Sequence, residues 1–146
     1  MHNYTAPLKD IRFVMTELAE LDNICELPSY QAIDVETVNA VLEEGAKFAN
    51  EILSPLNMIG DQEGTKIDAN GVIEASGYKE AYSQYMAGGW STLPCAEEFG
   101  GMGMPHIVSS AVSEMWASSN LSFSIGPMLS IGAISAIQKH ASSEIK

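Results

Sequence analysis

Leu93-Pro94-Cys95-Ala96-Glu97-Glu98-Phe99-Gly100-Gly101-Met102-Gly103-Met104-Pro105 is the stretch around which the chain is organised. Its two prolines and three glycines break any helix or strand that would run through it. It divides an acidic first part from a nearly uncharged second part, because between Phe99 and Ser143 the only charged residues are Glu114 and Lys139. A segment this apolar and rich in small residues needs cover.

Downstream, Pro105 is placed to open a helix as a first-turn proline. Val108, Ala111, Val112, Met115, Trp116 and Ser119 set its period, and small Ser109, Ser110, Ala117 and Ser118 suit close contact with a neighbour. Leu121 to Gln138 then carries no charge, so it is expected to be surrounded rather than half exposed. Pro127 inside it predicts a kink or two short helices, because its nitrogen cannot donate. A membrane span is disfavoured: six of those residues are Ser or Gly, and Gly126 and Gly132 do not form the Gly-x-x-x-Gly pattern. Burial in a protein body is expected instead.

Upstream, Leu8, Ile11, Val14, Met15, Leu18 and Leu21 form the apolar stripe of a helix over about residues 8–22, stopped at Asp22-Asn23. A second helix is expected from Val35 to about Leu53, capped by Asp34 and ended by Pro55. Its face is Val38, Val41, Leu42, Ala49, Ile52 and Leu53, with Glu43, Glu44 and Glu51 on the solvated side. From Asn57 to Ser76 the helical period fades. Asp68-Ala69-Asn70-Gly71-Val72-Ile73 reads as a small hairpin. A third helix fits Gly77 to Met86, capped by Ser76 and stopped at Gly88-Gly89, with Trp90 as a core or interface anchor. The fold class is therefore all-α: a bundle-like domain of about five to six helices with a small hairpin-like connection.

Composition excludes several functions. Seven basic residues against nineteen acidic ones give a net charge of −12, and Arg12 is the one arginine. Nucleic acid and anionic membrane surfaces are poor partners for such a chain. Cys25 and Cys95 lack a metal or redox spacing, and His2, His106 and His140 are scattered, so a reduced cytoplasmic protein without a metal is the simplest reading. The first ten residues lack the basic-then-apolar pattern of a signal peptide.

The glycine turn also fails as a phosphate loop. Gly100-Gly101-Met102-Gly103 has neither the P-loop lysine nor the dinucleotide spacing, and it reads as a turn admitting close backbone approach. Cys95 as a nucleophile would need a base, with His106 the nearby histidine. Glu97-Glu98 reads as surface or helix-start acids. No catalytic residue is expected.

Tyr82 to Trp90 followed by Leu93-Pro94-Cys95-Ala96-Glu97-Glu98-Phe99-Gly100-Gly101-Met102-Gly103 resembles the N-terminal helical domain of acyl-CoA dehydrogenases, which show a Pro–Glu–aromatic–Gly-Gly-x-Gly turn before two apolar helices. Tyr4, Pro7, Leu8, Asp10, Ile11, Arg12, Phe13 and Val14 look like the extra N-terminal helix of a longer bacterial subgroup of that family, which includes fatty-acyl-CoA dehydrogenases. The resemblance implies residues 1–33 as an extension helix and connector, and residues 34–146 as the N-terminal helical domain, cut before a β domain. It implies an FAD-dependent oxidoreductase whose flavin contacts and catalytic glutamate lie mostly beyond this chain. The implied partners are an acyl-CoA substrate and an electron-accepting flavoprotein, within a homo-oligomer. Matched from the glycine turn, Ser124, Met128 and Gly132 are the implied substrate-facing positions, and the fragment alone is expected to be inactive. The alternative is a free-standing helical interaction module that presents the apolar 121–138 segment.

Overall fold

The computed structural model describes residues 4–146, so His2 lies outside the described residues. The architecture is helical with one two-stranded hairpin, as the periodicity leads one to expect.

Helix α1 (Leu8–Phe13) runs into a π-helical turn (Val14–Leu18), closed by Ala19 N–H donating to the Val14 carbonyl at 2.9 Å. The wider turn rotates the apolar stripe. Ile11 and Met15 stay buried, while Val14 and Leu18 face out. The helix stops earlier than Asp22-Asn23. Glu20 takes a left-handed conformation (φ 52°), and a short α2 (Leu21–Cys25) restarts after it. Tyr4 N–H donates to Ser54 Oγ at 3.1 Å and Ala6 N–H to Asn50 Oδ1 at 2.9 Å, tying the N-terminal segment to the next rod. Arg12 pairs with Glu43 on α3; with both side chains partly in water, such a pair is worth about 0.2–1 kcal/mol.

Helix α3 (Val35–Lys47) starts at Asp34, whose Oδ1 accepts from Thr37 N–H at 2.7 Å. That hydrogen bond holds the Asp34 carboxyl below its ordinary pKa. Pro55 does not end this rod. A π-helical turn (Phe48–Leu53) shifts the carbonyls that the proline ring would strike, and α4 (Ser54–Glu63) carries on with Pro55 in its first turn. Residues 57–63, expected to be irregular, are therefore helical. The hairpin pairs β1 (Lys66–Asp68) with β2 (Gly71–Ile73), Asp68 opposite Gly71. Its two turn residues are Ala69 and Asn70, and Asn70 N–H donates to Asp68 Oδ1 at 2.7 Å.

Helix α5 (Tyr78–Ala87) begins at Gly77 (φ 84°), not at a Ser76 side-chain cap; Ser76 N–H instead donates to Glu63 Oε2 at 2.8 Å. Ala81 and Tyr85 are buried, whereas Tyr82 and Met86 are exposed. Helix α6 (His106–Ser119) is the spine of the core, with Val108, Val112 and Met115 at most 1 % exposed. Pro105 precedes it as the cap, its carbonyl accepting from Val108 N–H at 2.9 Å. Close approach between α3 and α6 comes from Gly45 against Val112, where an added Cβ would lie 3.3 Å from a valine methyl. Of the small α6 residues expected to serve that contact, Ser109 is buried but Ser110 and Ser118 are exposed. Phe48, Tyr85, Trp90 and Phe123 gather around Trp116, three of the contacts with it being edge-on at 5.2–5.5 Å. Each such pair adds about 0.5–1.5 kcal/mol beyond area burial.

Helix α7 (Leu121–His140) remains one helix through Pro127, since losing a single backbone bond in a long helix does not divide it. The expectation that it is surrounded is not met within this chain. Phe123 and Pro127 are buried, and Leu121, Ile125, Met128, Leu129 and Ile137 are exposed. The core needs only the first two turns of this helix. An 18-residue window of α7 has mean hydropathy 1.4 and is 11 % buried, so by length and composition alone it is long enough to cross a membrane.

Candidate functional site: a cleft between the last two helices

The 93–105 stretch is held by its own backbone. Gly101 N–H donates to the Ala96 carbonyl at 3.1 Å, Gly103 N–H to Cys95 at 2.8 Å, Met102 N–H to Thr92 at 3.1 Å and Met104 N–H to Leu93 at 3.0 Å. Gly100 and Gly103 occupy left-handed conformations (φ 81° and 64°), and Gly101 sits where a Cβ would lie 2.1 Å from the Cys95 carbonyl oxygen. Glycine is required here for close backbone approach, as the sequence indicates. Anchored in this way, the loop delivers Pro94 and His106 to the end of α6.

At the other end of α6 the joint to α7 is a single buried side chain. Asn120 is 1 % exposed. Its Oδ1 accepts from Phe123 N–H at 3.0 Å and from Ser122 Oγ at 2.8 Å. Its Nδ2 donates to the Leu53 carbonyl at 3.1 Å and to Tyr78 Oη at 3.1 Å. One amide thus starts α7 and binds it to the turn before α4 and to α5. Sequence reading passed over Asn120; an Asn directly before an uncharged helix is the capping signal that marks it.

Between α6 and α7 these two fixings leave a cleft of about 300 Å³. Trp116, Leu121, Ile125 and Ile131 supply apolar wall, Ser109 and Ser124 supply hydroxyls, and Tyr85 and Pro94 contribute from outside the pair. Ser124 and Met128, two of the three positions named from the sequence, line the cleft together. Gly132 is not among its lining residues, and an added Cβ there would meet open space. Tyr85 belongs to the cleft although its spacing on α5 marks it simply as core. A second cleft of about 300 Å³, lined by Tyr30, Glu97, Met104 and Gln138 among others, shares Pro94 and His106 as its dividing wall.

The cleft lining offers an apolar wall, serine hydroxyls and one imidazole, that of His106. Cys95 is a buried free thiol, and burial pushes its pKa up, the opposite of activation. Among the described residues, no group of three or more His, Cys, Asp or Glu side chains converges as metal ligands do. The Ser124 hydroxyl donates to the Asn120 carbonyl at 3.0 Å and that of Ser109 to the His106 carbonyl at 3.0 Å. Tyr85 is pushed up to about 12 by burial, with neighbouring Tyr82 and Cys95 adding to it. Because the folded value lies above the ordinary 10.0, the stability due to neutral Tyr85 is complete below pH 10 and is lost as pH rises to about 12. Urea midpoints taken at about pH 9 and about pH 11.5 are expected to fall less for Tyr85→Phe than for the parent chain.

The scaffold is all-α and carries an apolar cleft dotted with hydroxyls. Comparison with known proteins places it in a family. The profile described as "Acyl-CoA dehydrogenase, N-terminal domain" matches residues 36–146, and the chain belongs to that family. It is 38 % identical over 134 residues to a 3-methylmercaptopropionyl-CoA dehydrogenase of Ruegeria pomeroyi, covering 92 % of this chain and 23 % of that protein. It is 26 % identical over 148 residues to a butyryl-CoA dehydrogenase of Syntrophomonas wolfei, covering 99 % of this chain and 24 % of that one. The chain thus spans about a quarter of the length of these curated relatives.

Proposed function

We propose that this chain is the N-terminal helical part of an FAD-dependent dehydrogenase that introduces a double bond into acyl-CoA thioesters, and that its α6–α7 cleft walls the acyl tail. The observation that carries the reading is the cleft itself. It lies within the family match and is apolar enough to take a hydrocarbon chain. Ser124 and Met128 are its proposed substrate contacts; Gly132, on the next turn, is proposed to leave room for a longer tail. The relatives' names point to short acyl groups, plain or sulfur-bearing, as the first substrates to try. Residues 1–33 are proposed to be an extension packed on residues 34–146.

The cleft does not fit a flavin dinucleotide by itself. A pyrophosphate asks for Lys, Arg or oriented amides. The cleft lining contains no Lys or Arg, and Arg12 is engaged by Glu43. The proposal therefore assigns FAD to parts of the enzyme beyond these residues and gives this chain the tasks of walling the acyl tail and packing against those parts. An electron-accepting flavoprotein, a homo-oligomeric assembly and a cytoplasmic location complete the proposal.

Met128→Trp, placed in the flavin-loaded enzyme, tests it. The indole fills the cleft, and kcat/KM for short acyl-CoAs is expected to fall about tenfold or more with flavin content unchanged. Unaltered kinetics would remove the cleft from the substrate path. The coding sequence gives a second check: continuation past Lys146 into a β domain is expected, and a stop codon there would sink the reading.

The exposed apolar face of α7 favours one competing reading, a helical interaction module. Light scattering separates the two. A well-behaved monomer favours the module, whereas oligomers or aggregates favour a domain that is covered in its enzyme.

A further inference from the structure

The α7 wall of the cleft is held from a place that the cleft does not include. Helix α7 supplies Leu121, Ser124, Ile125 and Met128 to the lining, yet its buried residues are Phe123 and Pro127, both in its first two turns. Where that wall stands therefore depends on what grips the start of the helix. Tyr78 is such a grip, although it is not among the lining residues. Its hydroxyl accepts from Asn120 Nδ2 at 3.1 Å and stands 3.0 Å from Ser122 Oγ. Because Ser122 Oγ gives its own proton to Asn120 Oδ1, Tyr78 Oη is the donor of that pair. The Leu56 carbonyl of α4 lies 3.4 Å from the same oxygen, and the ring packs against Phe123 at 6.4 Å. One side chain thus ties α4 to the first turn of α7.

The ring also has a seat. Gly60, inside α4, faces it: a Cβ added there would stand 2.9 Å from Tyr78 Cζ and closer still to Oη. Glycine in a helix interior is ordinarily a loss relative to alanine, so this one is accounted for by the room it leaves the tyrosine.

Resting on the reading of this cleft as an acyl site, we infer that Tyr78 is a positioning residue for substrate binding: seated on Gly60, it fixes the placement of α7 at which the cleft accepts a tail. Without that strut α7 keeps its helix but visits other placements. A cleft competent only about 10–30 % of the time binds about threefold to tenfold more weakly. Neither Tyr78 nor Gly60 lines the cleft, so both act on binding and not on the chemical step.

Tyr78→Phe and Gly60→Ala, each in the flavin-loaded enzyme, are the test, with butanoyl-CoA as substrate. Phenylalanine keeps the ring and removes the hydroxyl, whereas alanine keeps the hydroxyl and unseats it. Each is expected to raise KM about threefold to tenfold, with kcat held within about twofold. The double variant is expected to show a KM no higher than the greater of the two, because both substitutions release the same strut. A tyrosine with a merely structural role would lower the thermal midpoint and leave KM as it was, which would overturn the inference. A double variant whose KM rises by the product of the single effects overturns it too. Should both single variants leave KM unchanged while Met128→Trp still lowers kcat/KM, the strut falls and the acyl reading of the cleft stands. If Met128→Trp is also silent, that reading falls as well.

Discussion

Asn120→Ala is expected to destabilise the chain by about 3 kcal/mol, the combined loss of a helix cap and of a satisfied buried network. Four partners meet at this amide: Phe123 N–H and the Ser122 hydroxyl donate to it, it donates to the Leu53 carbonyl, and the Tyr78 hydroxyl bonds to both of its ends. Alanine frees the α7 N-terminus and leaves the Leu53 carbonyl buried without this donor. Replacing the donor by water requires space that a residue 1 % exposed does not offer. The urea midpoint should drop by roughly 1–2 M. Asn120→Ser keeps a capping oxygen and should recover about 1 kcal/mol of the loss. A loss under about 1 kcal/mol for the alanine variant would show that solvent substitutes for the amide and that the joint is not built as described.

Gly101→Ala should cost about 3 kcal/mol, near the upper end for forcing atoms into a packed site. Its Cβ would stand 2.1 Å from the Cys95 carbonyl oxygen, 2.4 Å from the carbonyl carbon and 2.6 Å from the Cys95 Cβ. Two of these are backbone atoms, so no rotamer change relieves the clash. The loop must open, at the expense of the Gly103-to-Cys95 and Gly101-to-Ala96 hydrogen bonds. Gly100→Ala is the control. That site is spatially open but left-handed (φ 81°), so the expected loss is only the conformational cost, about 1–2 kcal/mol. Thermal or urea unfolding of the two variants side by side decides the matter, and equal losses would refute the close-approach account.

Much of this architecture is legible in the sequence because local rules agree with packing. Asp34 caps where an aspartate before an apolar period should, and Gly101 sits in the turn where a side chain does not fit. What escaped has physical reasons too. Pro55 signals a stop, yet the π-helical turn over Phe48–Leu53 makes room for it, and such turns leave no mark in a 3.6-residue period. The same widening turned Val14 and Leu18 outward. Ser124, Met128 and Gly132 came from the family resemblance, matched from the glycine turn, and the first two line the cleft. Gly132 lies where the cleft lining no longer reaches. Tyr85 was invisible as a wall residue because periodicity reports that a side chain is inside, not whether its polar end has company.

The joint at Asn120 has a consequence for how such a domain diversifies. The angle at which α7 leaves α6 is set by a polar knot at one end, while Leu121, Ile125 and Met128 along the cleft remain exposed and contribute little to holding the helices together. Drift at Leu121, Ile125 and Met128 can reshape the cleft with little risk to the scaffold, whereas drift at the knot forfeits the scaffold itself.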